Sequence, residues 1–268
     1  MQKSNFSRAW KQTTSAFYLG SDALTSMVFT RTAPHILVAC MPKSGSTYLA
    51  TVLSKYEGFR AVNLCPAFQR REQELCEILL ARYNHRGSYV AQHHIRNSEC
   101  TQRWISQFRL SPVVLIRNLA DVVVSVRDHI RKEAETPIAY FTESHIASVD
   151  ADLEETIVRL AIPWYLNFYA SWRESSSAMF VSYEDLIQNP EATVKGILEY
   201  SNVASDSVRI RKALDSCKTT NYRFNVGIVG RGNFIAPTAM QALCGLIDQY
   251  PQFEDDAYFK SMRASFNC

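Results

Sequence analysis

The stretch HILVACMPKSGSTYLATVLSKY, His35 to Tyr56, joins a run of strand length to an amphipathic segment through a short polar turn. Its first six residues are apolar or β-branched apart from the leading histidine, which predicts a buried strand. Leu49, Val52 and Leu53 then recur at i, i+3 and i+4, which predicts a helix over 46–56. Between the two, Lys43 to Thr47 packs a lysine, three hydroxyls and a glycine into five positions. A turn from strand to helix leaves backbone N–H groups unpaired, and the helix start carries partial positive charge, so this composition points to an anion site. Gly45 would let the backbone approach the ligand, Ser44, Ser46 and Thr47 would donate hydrogen bonds, and Lys43 would add a mobile charge. The plain alternative is a helix cap, a task Ser, Thr and Gly perform routinely. A nucleotide-kinase loop reads GxxxxGK[ST]; here the lysine precedes the glycine by two positions, which leaves an ATP- or GTP-dependent kinase as a competing reading.

Outward from this stretch, GSYVAQHH (87–94), PVVLIR (112–117) and AMFVSY (178–183) are further runs of strand length. Helices are predicted over 68–83, 120–132, 153–175 with a kink at Pro163, and after Asn189-Pro190 as far as Tyr200. Such alternation predicts an α/β fold, three layers (αβα) around a central parallel sheet, with ligands at the C-terminal ends of the strands. Residues 1–33 read as an arm, 34–268 as one domain, and 133–152, which hold Pro137 and no sustained period, as a lid-like segment.

A balance of 29 basic against 26 acidic residues is too even to argue for a nucleic-acid partner, so an anion site has to be local. The seven scattered cysteines form no CxxC pair, which predicts reduced thiols. No stretch approaches the ~20 apolar residues of a membrane span. A cytoplasmic protein without a transmembrane segment is the expectation.

Two further strand ends carry chemistry. In LIRNLADVVVS (115–125), Arg117 ends a buried strand and Ser125 follows eight residues later; both could reach one phosphate, or Arg117 could pair with Asp121. In GSYVAQHHIRN (87–97) two adjacent histidines end a strand, and adjacent strand residues point to opposite faces. His93 and His94 can therefore hardly chelate one metal; one of them faces the site as a general base, or both are structural. A third segment, TNYRFNVGIVGRG (220–232), sets Gly227, Gly230 and Gly232 within six positions beside Arg223 and Arg231, as a loop folding over phosphates or as a solvent-facing turn would.

In order, these motifs resemble those of the sulfotransferases that use 3′-phosphoadenosine-5′-phosphosulfate (PAPS), over roughly residues 35 to 235. Pro42 to Tyr48 is similar to their 5′-phosphosulfate loop, PKSGTTW, with Tyr48 where a tryptophan stacks on adenine. Arg117, Asn118, Asp121 and Ser125 match the 3′-phosphate motif RNPxDxxxS, with Leu119 in place of proline. Gly227 and Gly230 match the late segment RKGxxGxW, whose leading pair is replaced by Asn225 and Val226, and Tyr183 of YEDL matches a tyrosine near the adenine. The family's KTHL segment aligns with Gln92 to Ile95, making His94 the base and putting Gln92 where a lysine touches the sulfuryl group.

The resemblance implies a P-loop-like fold and sulfuryl transfer to a hydroxyl or amine. His94 and Lys43 would be catalytic, and Lys43, Ser44, Gly45, Ser46, Thr47, Tyr48, Arg117, Ser125, Tyr183, Gly227 and Arg231 would hold the cofactor, with no metal. A non-catalytic nucleotide-binding module is the third reading. The acceptor, whether small molecule, lipid, carbohydrate or peptide, is open; Trp164, Phe168 and Trp172 line either its pocket or the core.

Overall fold

Six consecutive buried residues make His35–Cys40 (β1) the middle strand of a five-stranded sheet. The computed structural model describes residues 33–66, 73–132, 153–173, 177–218 and 228–266. The predicted arm up to residue 32, the lid-like segment 133–152 and Gly227 lie outside them. The chain runs from β1 through helix Ser46–Lys55 (α1), strand Arg60–Val62 (β2), helix Glu77–Asn84 (α2), strand Tyr89–His93 (β3), helix Glu99–Phe108 (α3), strand Leu110–Ile116 (β4) and helix Leu119–Lys132 (α4). It resumes with helix Leu153–Arg173 (α5), strand Met179–Ser182 (β5) and helices Tyr183–Gln188 (α6), Pro190–Tyr200 (α7) and Ser207–Lys218 (α8). A 3-10 turn at Arg231–Phe234 and helices Pro237–Ile247 (α9) and Ala257–Phe266 (α10) follow.

The sheet order is β2-β3-β1-β4-β5, every pair parallel. Strands buried on both faces need no polar alternation, which is why HILVAC is apolar after its leading histidine. On one face Ile36, Val38 and Cys40 pack with Leu49, Val52 and Leu53 of α1 and with α7 and α8. On the other Leu37, Ala39 and Met41 pack with α4, α5, α9 and α10. Helices thus cover both faces, as the alternation predicted. Because β3 lies on one side of β1 and β4 on the other, the chain changes direction across β1, and the loop after β1 sits between the loops after β3 and β4. In open parallel sheets this switch point is where a crevice forms.

Several elements differ from the sequence expectation. Strand β2 has only three residues, too few for a periodic signal. Residues 73–76 are not helical, so α2 starts later than the predicted 68–83; Cys76 N–H donates instead to the Leu64 carbonyl at 2.9 Å. Helix α5 runs through Pro163, and its aromatic stripe is core: Trp164 and Phe168 stack at 5.3 Å, and buried Trp172 donates from Nε1 to the Ile95 carbonyl at 2.9 Å. The thiols of Cys40, Cys65, Cys76, Cys100 and Cys217 are free, but Cys244 is disulfide-bonded, which corrects the expectation of reduced thiols throughout and removes the redox argument for a cytoplasmic location. Among the described residues no helix is long and apolar enough to cross a membrane.

Candidate active site

The turn after β1 bends through two left-handed residues, Lys43 (φ 63°) and Gly45 (φ 81°). Such a backbone is unusual for a lysine. Ser44 holds it: its hydroxyl donates to the Met41 carbonyl at 2.6 Å and its amide to the same oxygen at 3.3 Å, while the side chain is fully buried. Gly45 is the N-cap of α1, and a Cβ there would lie 2.8 Å from Cδ2 of Tyr183, so both conformation and space require glycine. No acidic residue occupies the first turn of α1, and its leading amides have no acceptor within the helix. Ser46 is buried, Thr47 is exposed, and Tyr48 packs half-buried against the α1-side core.

Arg117, one residue beyond β4, joins this turn to the next. It is buried, its Nη1 donates to the Lys43 carbonyl at 2.8 Å, and its guanidinium carbon lies 4.0 Å from the centre of the Tyr183 ring. Tyr183 therefore contacts Gly45 and Arg117 at once. Arg117 Nε is buried and meets no acceptor among the described residues. Asp121 is 3.8 Å from Arg117 Nη2, but its oxygens accept the amides of Gly232 (2.6 Å) and Gly230 (2.9 Å). This carboxylate pins the glycine-rich segment onto α4. The fit is close, since a Cβ on Gly232 would meet Ala120 Cβ at 2.4 Å. Arg231 donates to Asp128 on α4 at 2.5 Å, and Ser125 is buried one turn beyond Asp121. In place of the family's proline, Leu119 is buried, and the turn is held by Asn118, whose Oδ1 accepts the amides of Ala120 (3.0 Å) and Asp121 (3.3 Å).

On the other side of β1, the adjacent histidines are held differently. His93 is buried; its Nε2 accepts the Leu64 amide at 3.0 Å, so the proton sits on Nδ1, which donates to Gln73 Oε1 at 3.3 Å. Burial, with the nearby His94 adding to it, pushes its pKa down to about 3. A neutral histidine with both nitrogens engaged is structural. His94 donates its backbone amide to the same Gln73 oxygen at 2.8 Å and its Nδ1–H to the Cys40 carbonyl at 2.9 Å. That bond leaves Nε2 as the accepting nitrogen, and it bonds none of the described residues. Burial alone would lower the His94 pKa; the Cys40 thiol and carbonyl outweigh it and raise the value above its ordinary range.

The loops after β3, β1 and β4 thus bring His94, Lys43 and Arg117 to one end of the sheet. The sequence profile of the sulfotransferase domain matches residues 33–226, well over half of the chain. The chain belongs to the sulfotransferase family. Its fold is similar to that of a mouse sulfotransferase solved with PAP (TM-score 0.60, 17% identity, covering 91% of this chain and 94% of that one). It is also similar to a retinol dehydratase solved with androsterone and PAP (TM-score 0.53, 13% identity, 83% and 81%). No curated protein sequence matches it. Two residues of this sulfotransferase brace these turns in ways its motifs did not indicate. Asp121, which matches the 3′-phosphate motif and could pair with Arg117, accepts instead the amides of Gly230 and Gly232, 109 and 111 residues away. Gln73 carried no signal, because a lone glutamine in a polar run is unremarkable.

Proposed function

We propose that this sulfotransferase takes its sulfuryl group from PAPS and passes it to a hydroxyl or amine of a small-molecule, lipid or carbohydrate acceptor. The observation that carries this reading is the 2.8 Å bond from Arg117 Nη1 to the Lys43 carbonyl, which makes the two anion-binding turns a single site. The residues fit a ligand with an anion at each end. At one are the α1 amides and Lys43 with no acid in the first turn; at the other is a buried guanidinium whose Nε has no partner among the described residues, with Ser125 on the adjoining helix. PAP in the mouse sulfotransferase and in retinol dehydratase supports the same choice of donor.

Bound PAPS would supply the sulfuryl group and a phosphate leaving group. Lys43 and the amides of Ser44 to Thr47 would meet the charge that grows on that phosphate, a contribution made without reorganisation because the turn is already formed. Ser44 commits its hydroxyl proton to Met41, so it would serve chiefly through its place in the turn. Tyr48 would offer its ring to the adenine. Tyr183 would act by locking Gly45 to Arg117, and Arg231 by fastening the glycine-rich segment to α4. His94 Nε2 would take the acceptor's proton, and the resulting imidazolium would keep its Nδ1–H on the Cys40 carbonyl. Gln92 carries no charge, so Lys43 would be the cation nearest the transferred group.

Calorimetry with adenosine 3′,5′-bisphosphate, ATP and AMP, each with and without Mg²⁺, tests the reading. Tight, metal-independent binding of the bisphosphate is expected; a preference for ATP would overturn it in favour of a kinase.

A further inference from the structure

Cys40 ends β1, is fully buried, and lies between the phosphosulfate turn and the base. Its sulfur is a junction of polar groups. Its S–H donates to the His93 carbonyl at 3.4 Å, while the lone pairs face two donors, Gln92 Nε2 at 3.5 Å and His94 Nδ1 at 3.3 Å. The Nδ1–H of His94 is therefore shared between two atoms of one residue, the carbonyl oxygen and the sulfur of Cys40. The long C–S bond and large radius of sulfur let one side chain reach all of these groups from the strand end.

We propose that Cys40 is a positioning residue for sulfuryl transfer: its thiol joins its own carbonyl in holding His94 as the Nδ1–H tautomer and takes a bond from the amide nitrogen of Gln92. The inference rests on His94 being the base. A base that can flip or change tautomer spends part of its time presenting N–H where a lone pair is needed, and a second acceptor on Nδ1 beside the carbonyl holds the ring against both. The Gln92 amide, anchored through nitrogen, offers an acceptor oxygen where the family's lysine offers a cation. The effect on protonation runs the same way. Burial raises the Cys40 thiol, but the charge on His94 and the donors around the sulfur bring it below its ordinary value, and Cys40 in turn raises His94. Among the described residues, Cys40 from β1 is the titratable group that raises His94, and His94 in turn acts on His93 of β3.

The test follows the imidazole nitrogens of the ¹⁵N-histidine-labelled full chain through a pH titration, in the wild type and in Cys40→Ala and Cys40→Ser. In the wild type, neutral His94 is expected to be almost wholly the Nδ1–H tautomer. Cys40→Ala should give a mixture of tautomers and a lower His94 midpoint, and Cys40→Ser, which keeps a shorter acceptor, should fall between the two. His93, engaged by Leu64 and Gln73, serves as the internal control and should keep its tautomer in all three proteins. In steady-state assays the acidic limb of kcat/KM should move to lower pH in Cys40→Ala, with kcat reduced roughly tenfold to a hundredfold, the range seen when a partner orienting a histidine ligand is removed. An unchanged His94 tautomer and midpoint in Cys40→Ala, or in Cys40→Ser where the alanine variant does not fold, overturns the inference. A wild type that fails to bind adenosine 3′,5′-bisphosphate removes the proposed function instead, and the spectra still decide the contact.

Discussion

Strand β1 meets a histidine at each end, its own His35 at the start and His94, which follows β3, at its last residue Cys40, and the two are held in opposite ways. His35, its first residue, lies 4.2 Å from Tyr89 in a stacked pair, with both ring nitrogens buried and without a hydrogen-bond partner among the described residues. Burial and then the charge of Arg60 push its pKa down to about 4. At the other end His94 has a carbonyl and a thiol on Nδ1 and a side-chain amide oxygen on its backbone, and its pKa is raised. Burial opposes charge at both ends; what differs is the supply of partners. Turns leaving the C-terminal end of a parallel sheet bring free amides, carbonyls and polar side chains together there, whereas His35 sits flat against a ring. A buried imidazole can take a proton only where something accepts from it.

The largest test of this contrast is to remove the proposed base. His94→Ala should lower kcat by about 10²–10⁴-fold, the usual contribution of a positioned general base, while adenosine bisphosphate affinity measured by calorimetry stays within a few-fold of wild type. Equal loss of binding would mean that His94 holds the ligand rather than serving it.

The opposite end predicts a stability effect. Because His35 binds a proton less readily folded (about 4) than unfolded (6.5), the unfolded chain takes up more protons between those values, so stability is full above about pH 6.5 and lost as the pH falls towards 4. At about 1.4 kcal/mol per unit the loss is on the order of 3 kcal/mol. Urea titrations at pH 7.5 and 4.5 should register it, and His35→Phe, which keeps the stack without a titrating group, should flatten it. An equal pH dependence in that variant would place the acid sensitivity elsewhere.

Between the two ends, the bond that unites the site can be weakened without removing charge. Arg117→Lys keeps a cation but loses the planar fork that serves the Lys43 carbonyl while lying over Tyr183. Bisphosphate affinity should fall by about 1–3 kcal/mol, the cost typical of one charge-assisted hydrogen bond. An unchanged affinity would show that Arg117 braces the turn and leaves the ligand to other groups.

What the sequence disclosed follows the same division. The strand-turn-helix of His35 to Tyr56 was legible because an unbroken apolar run, a glycine-bearing turn and an i, i+3, i+4 pattern are local signals. Strand alternation likewise separated His93 from His94. Local signals do not reach the partners that tune the site. Cys40 meets His94 across 54 residues, and Asp121 meets Gly232 across 111, because β1 is flanked by β3 and β4 and the segment near residue 230 folds back on α4. The short strand β2 gave too few residues for a period, and the disulfide at Cys244 has no counterpart in any spacing motif.

The smallest predicted effect tests whether the core itself helps to aim the base. Trp172, fully buried on α5, donates from Nε1 to the carbonyl of Ile95, the residue after His94, so the strand end is tied from below while Cys40 and Gln73 hold His94 itself. Trp172→Phe would remove the donor and leave a buried carbonyl unpaired, at about 1–3 kcal/mol in urea denaturation, including some loss of packing. If Ile95 is held mainly by its flanking contacts, kcat should stay near wild type despite the lost stability. If the tie steers His94, kcat should fall severalfold with KM unchanged, and the C-terminal end of β3 would then draw its alignment from the core as well as from the loops.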